Sequence, residues 1–185
     1  MQQRIATRRK ITNAELNRPT LEEFVKQTKT PVTVVLDNVR SAQNVGSFFR
    51  TGDAFAIEHI ALCGITSTPP NREIHKTALG AEESVAWSYY PTTAECVEHL
   101  HNEGYHILAI EQVEGAVMLD QFQAQEGVKY AIVFGNEVMG VDQAVVDMCD
   151  GAIEIPQVGT KHSLNVSVSG GVVLWDFFCQ IGLKR

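Results

Sequence analysis

Apolar runs of strand length alternate along this chain with segments of helical periodicity. VTVVLD (32–37), EHIALCG (58–64), residues 86–90, YHILAI (105–110), YAIVF (130–134) and AIEI (152–155) read as strands, and the unbroken, β-branched character of the first marks it as buried. Thr20-x-x-Glu23 after Pro19 is a capping-box signal for a short helix at about 20–27. Helices are also predicted over 44–55, 93–102 with Gly104 ending it, 141–148 and 163–183, where Gly170-Gly171 permits a close-packed neighbour. Residues 65–72 form a polar, proline-containing loop. Strands alternating with helices predict an α/β fold, a parallel sheet with helices on both faces. Residues 1–30 read as a basic arm with a short helix, and 31–185 as the α/β domain.

Composition adds a contradiction. The 185 residues carry a net charge of −7, which at face value opposes nucleic-acid binding. The charge is unevenly spread: residues 95–154 hold twelve acids against Lys129 alone, whereas residues 1–18 hold Arg4, Arg8, Arg9, Lys10 and Arg18 against Glu15. A basic arm therefore coexists with an acidic block. The four cysteines form no C-x-x-C pair and sit at no metal-ligand spacing, so reduced thiols in a cytoplasmic protein are expected, with no metal. The N-terminus has no apolar signal core, and no stretch approaches a membrane span.

In open parallel sheets, ligands bind beyond the carboxyl ends of the strands. Here those ends carry Asn38 to Gly46 followed by Arg50; Glu111; Gly135-Asn136-Glu137-Val138-Met139-Gly140; and Pro156-Gln157 through Lys161-His162-Ser163-Leu164-Asn165. None matches G-x-G-x-x-G or a P-loop, which argues against a dinucleotide oxidoreductase. His162 beside Ser163 lacks a nucleophile elbow, so a serine hydrolase is disfavoured. Asn44 and Arg50 are six residues apart, 120° out of alignment on a helix, and share a face only if Asn44 precedes it. Gly46 opens space near the helix start suited to an anionic group.

Together these segments resemble the three motifs of the SpoU/TrmH-like branch of the SPOUT superfamily of RNA methyltransferases. The matches are LDNVRSAQNVGSFFRTGDAF (36–55), IVFGNEVMGV (132–141) and IEIPQVGTKHSLNVSVSGGV (153–172). The resemblance implies a C-terminal trefoil knot, a homodimer, and transfer of methyl from S-adenosylmethionine to a ribose 2′-hydroxyl of RNA, with tRNA expected and rRNA the alternative. A non-catalytic dimeric RNA-binding protein of the same fold is the rival. Cofactor contacts are implied at Gly135, Ile155 and Leu164, with Glu111, Asn136 and Gln157 beside them. Catalytic and positioning roles are implied at Asn44, Arg50, Glu137, Ser163 and Asn165. A guanidinium, with a pKa above roughly 12, is a poor literal base, so Arg50 is expected to grip a phosphate and stabilise developing negative charge. Glu137 has a second reading, as a clamp on loop N–H groups. Arg40, Arg72, Lys76 and Lys161 join the arm's Arg4, Arg8, Arg9, Lys10 and Arg18 as expected RNA contacts.

Overall fold

The computed structural model describes residues 9–182. Arg4 and Arg8 of the expected RNA contacts lie outside the described residues. The element order is α1 (Leu21–Lys26), β1 (Thr30–Asp37), α2 (Ala42–Ala54), β2 (Ile57–Cys63), α3 (Arg72–Ala78), β3 (Trp87–Tyr90), α4 (Thr93–Asn102), β4 (His106–Ile110), β5 (Val117–Met118), β6 (Tyr130–Phe134), α5 (Gln143–Met148), β7 (Gly151–Glu154) and α6 (Val166–Ile181). The seven strands form one sheet in the order β3-β2-β1-β6-β4-β7-β5, and every pairing is parallel.

The predicted two-sided burial follows from alternation along the central strands. Val32, Val34 and Leu36 of β1 face one core, where Phe48 and Phe49 of α2, Ile74 of α3 and Leu174 and Phe177 of α6 pack. Val35 faces the other, with Cys96, Val97 and Leu100 of α4 and Val145 of α5. Helices therefore cover both faces, as parallel sheets require. The chain runs β1, β2, β3 to one edge, then returns beyond β1 to build β4, β6 and β7. That reversal gathers the carboxyl ends of β1, β6, β4 and β7 into one region.

Several predicted boundaries shift for local reasons. The capping box holds: the Thr20 hydroxyl accepts from Glu23 N, and Glu23 accepts from Thr20 N. The helix predicted from residue 44 begins at Ala42, because the Ser41 side chain caps it. The last helix begins at Val166 rather than Ser163, capped by Asn165. The loop predicted at 65–72 gives way to α3, whose Asn71 cap accepts from Glu73 N and Ile74 N.

The expectation for Gly46 is corrected. It faces α3 and not an anion: a Cβ there would meet Thr77 Oγ1 and the Ile74 carbonyl at 2.1 and 2.3 Å. Gly170 plays the equivalent role between α6 and α2, where a Cβ would lie 2.2 Å from the Phe48 ring, while a Cβ on Gly171 meets nothing within 4 Å. Gly46→Ala is accordingly expected to cost about 1–3 kcal/mol by overpacking. Gly171→Ala should instead gain up to about 1 kcal/mol in helix propensity. Urea unfolding of both variants checks this, and equal stabilities would refute the packing role of Gly46.

Candidate functional site

The three loops at the carboxyl edge are tied to one another by named hydrogen bonds. The first runs from Asp37 to Ser41, the second from Gly135 to Val141, and the third from Ile155 to Asn165 at the start of α6. Glu137 of the second reaches the first: its carboxylate accepts from Arg40 N, Ser41 N and Asn44 Nδ2, each at 2.9 Å. Asn44 then hands the connection on, its Oδ1 accepting from Asn165 Nδ2 at 3.2 Å and Ser167 Oγ at 3.3 Å. Asn165 Oδ1 meanwhile caps α6 by accepting from Ser167 N and Val168 N. Asn136 completes the weave, donating from Nδ2 to the Asn38 carbonyl and accepting at Oδ1 from Val138 N and Met139 N.

The second loop closes on itself through paired backbone hydrogen bonds between Asn136 and Gly140. Its closure needs Gly135, because a Cβ there would sit 2.0 Å from the Gly140 carbonyl carbon. Gly140 has φ of +71°, and a Cβ on it would strike Glu111 Oε2 at 2.2 Å. Glu111 uses that oxygen to accept from Val141 N and its other oxygen to accept from Gln112 N.

Between the second and third loops lies a cavity of about 530 Å³, within the range of small-molecule sites. Gly135, Asn136, Ile155, Gln157, Leu164 and Glu111, the six expected cofactor contacts, all line it. So do Glu137, Ser163 and Asn165 of the expected catalytic set; Asn44 stands one hydrogen bond behind. Glu111, Glu137 and Glu154 put three carboxylates around the cavity, and among the described residues no lysine or arginine lines it. The walls thus favour a ligand bearing positive charge over one bearing phosphates. Val138 and Met139 stand exposed at the rim.

Arg50 does not line this cavity. With Asn44 inside α2, the six-residue spacing turns Arg50 away, as the angular argument requires. It lines a separate groove of about 880 Å³ together with Arg18, Asp53 and Phe178. Of the expected RNA contacts, Arg40, Arg72, Lys10 and Lys161 are exposed, and Lys76 pairs with Glu73. Arg9 makes a bidentate pair with Glu15. That pair, aided by Thr12, pulls the Glu15 carboxyl down to about 2. Sequence reading missed Asp37, whose buried carboxylate accepts from Thr93, Asn38 and Asp142 N. Among the described residues no group of three or more His, Cys, Asp or Glu is arranged to hold a metal, and no helix is long and apolar enough to cross a membrane.

Glu137 is exposed yet fully engaged, so the clamp reading describes its geometry. Burial alone would raise its carboxyl. The hydrogen bonds from Arg40, Ser41 and Asn44 outweigh that effect and hold it below the ordinary value of 4.5. A lowered folded value means a stabilising contribution that is complete above 4.5 and lost as pH falls through the folded value. Glu137→Gln presents one acceptor oxygen to three donors. The stability gap between wild type and Glu137→Gln, followed by denaturant unfolding from about pH 7 to about pH 3, should hold steady and then narrow below 4.5. A gap that persists undiminished in acid would show that the ionised carboxylate is not what the loops bind.

The SpoU rRNA Methylase family model matches residues 31–175. The 23S rRNA (guanosine-2′-O-)-methyltransferase RlmB of Vibrio parahaemolyticus is 32% identical over 162 residues, covering 88% of this chain and 64% of its own length. The chain therefore spans just under two thirds of the curated relatives it matches. Among solved structures, the A. aeolicus TrmH/SpoU tRNA modifying enzyme superposes with a TM-score of 0.76 at 24% identity, covering 86% of this chain and 80% of that one. The SpoU methyltransferase AviRb of Streptomyces viridochromogenes, solved with AdoMet, superposes with a TM-score of 0.75 at 19% identity, covering 84% and 62%. The fold is shared with both, and because the family match runs through all three interlocked loops, this chain belongs to the SpoU rRNA methylase family.

Proposed function

We propose that this chain is a cytoplasmic, S-adenosylmethionine-dependent RNA methyltransferase that modifies a ribose 2′-hydroxyl, works as a homodimer, and ties its C-terminal part into a trefoil knot. The observation that carries the reading is a cavity lined by three glutamates, Glu111, Glu137 and Glu154, and, among the described residues, by no lysine or arginine. Those walls suit the sulfonium and ammonium of S-adenosylmethionine and repel the phosphates of a dinucleotide. Gly135, Asn136 and Gln157 offer backbone and amide groups, and Ile155 and Leu164 offer apolar surface, for the adenosyl part. When bound, the cofactor supplies an electrophilic methyl group that needs no covalent help from the protein.

What remains for the chain is alignment and charge. Ser163 and Asn165, at the cavity wall, position the ribose; Asn44 holds Asn165 in place, and Glu137 holds Asn44. Arg50 grips the phosphate next to the target and stabilises negative charge developing on the 2′-oxygen. Arg40, Arg72, Lys161 and the arm's basic residues guide the RNA. The Vibrio relative is named for 23S rRNA and the A. aeolicus neighbour for tRNA, so mapping of 2′-O-methyl groups in RNA from a deletion strain chooses between them.

The dimer answers the displacement of Arg50. Val168, Val172 and Trp175 form an exposed apolar stripe on α6, and Phe178 on the same helix lines the groove that holds Arg50. A second copy seated on α6 lies beside Arg50 and presents its own cavity to it. Subunit mixing tests this together with the chemistry. Arg50→Ala and Asn165→Ala are each expected to abolish methyl transfer to RNA, while their mixture restores about one quarter of wild-type activity, since half the dimers hold one intact site. Two inactive variants that stay inactive when mixed would place Arg50 in its own subunit's site. Wild-type protein that transfers no methyl to ribose would overturn the activity itself.

A further inference from the structure

Asp37 ends β1 and is 2% exposed, yet its carboxylate receives three donors, one from the next residue and two from distant parts of the fold. Oδ1 accepts from Thr93 Oγ1 at the start of α4 and from Asn38 Nδ2; Oδ2 accepts from Asp142 N at 3.0 Å. Asp142 N is the amide that follows the second loop, and the amide before it, Val141 N, is held by Glu111 Oε2 at 3.0 Å. Two carboxylates from separate strand ends therefore grip consecutive N–H groups where the loop leaves the cavity. Asp37 itself does not line the cavity. Its neighbour Asn38 is held in the left-handed region at φ of +53°, with its carbonyl accepting from Asn136 Nδ2. Entry and exit of the loop are thus both referred to the end of β1.

We infer that Asp37 is a positioning residue for cofactor binding, setting the Gly135–Val141 wall of the cavity through its hold on Asp142 N. The inference rests on the cofactor reading proposed above. Its chemistry is simple: Oδ2 has one partner, and only an acceptor can serve there. In Asp37→Asn the amide oxygen serves either the Thr93 and Asn38 donors or the Asp142 amide, and the amide nitrogen opposes a donor at the other end. Loss of that acceptor frees the loop exit, and the wall it fixes loses its set position.

The test is calorimetric binding of S-adenosylhomocysteine beside thermal unfolding, for wild type, Asp37→Asn and Thr93→Val. Thr93→Val removes a donor to Oδ1 and leaves Oδ2 on Asp142 N, so it reports the purely structural cost of disturbing the same carboxylate. Asp37→Asn is expected to bind about tenfold or more weakly, the usual scale of one charge-assisted hydrogen bond. Thr93→Val should keep wild-type affinity within about twofold despite a lowered Tm. If Asp37→Asn does not fold, Asp142→Pro deletes the same contact from the other side; the φ of −56° at Asp142 already suits proline. Asp142→Ala, which keeps the N–H and loses only the cap on Ala144 N, is its control. Weak binding by the proline variant and normal binding by the alanine variant supports the inference. Unchanged affinity in Asp37→Asn, or affinity that follows Tm equally in all variants, overturns it. Wild-type protein that binds no S-adenosylhomocysteine overturns the underlying cofactor reading instead.

Discussion

Three loops from distant parts of the chain are drawn into one site by a line of hydrogen bonds that passes through Asn44, which is bonded in two directions at once. Its amide nitrogen serves Glu137 and its amide oxygen serves Asn165 and Ser167, so one short side chain spans residues 93 and 121 positions away. An amide suits the task because it donates and accepts from adjacent atoms. Val39 and Val141 anchor the first two loops in the core, and Ile155 packs at the start of the third; the polar bonds and the caps of α2 and α6 join the loops to one another. The sheet supplies the rigid platform beneath: β1 and β6 are buried almost throughout.

The charge distribution gains a physical meaning from the fold. Behind the net charge of −7, the acids do two separate jobs. Some hold backbone amides: Glu137 on Arg40 and Ser41, Glu111 on Val141, Asp37 on Asp142 and Asp150 on Ile107. Glu111, Glu137 and Glu154 also shape the potential of the cavity. Net charge alone carried neither piece of information, since it counts groups without regard to what they touch.

Much of the fold was legible in the sequence. Helix α4 was read to the residue, strand β6 likewise, and the parallel sheet with helices on both faces followed from alternation. What escaped depended on contacts made at long range. Gly46 looked like an opening for an anion, and its purpose emerged only when α3 was placed against α2; α3 itself was hidden behind Pro69-Pro70 in a segment with little periodicity. Starting α2 at Asn44 instead of at the Ser41 cap left the relation of Asn44 to Arg50 open, and two residues of helix settled that the two side chains diverge. Asp37 carried no signal beyond an acidic residue ending an apolar strand, because its three donors arrive from 1, 56 and 105 residues away.

Hydrogen bonding between Asn44 and Glu137 sets the shape of the cavity between the second and third loops. A double-mutant cycle on Asn44→Asp and Glu137→Gln, read by S-adenosylhomocysteine affinity, tests it most directly. Asn44→Asp points an oxygen at the Glu137 carboxylate, and Glu137→Gln in the same molecule restores a donor facing it. The double variant should bind more tightly than the two single losses together predict, with a coupling of about 1–2 kcal/mol. Losses that add to within about 0.5 kcal/mol would mean that the two side chains act independently and that the cavity owes its shape to something else.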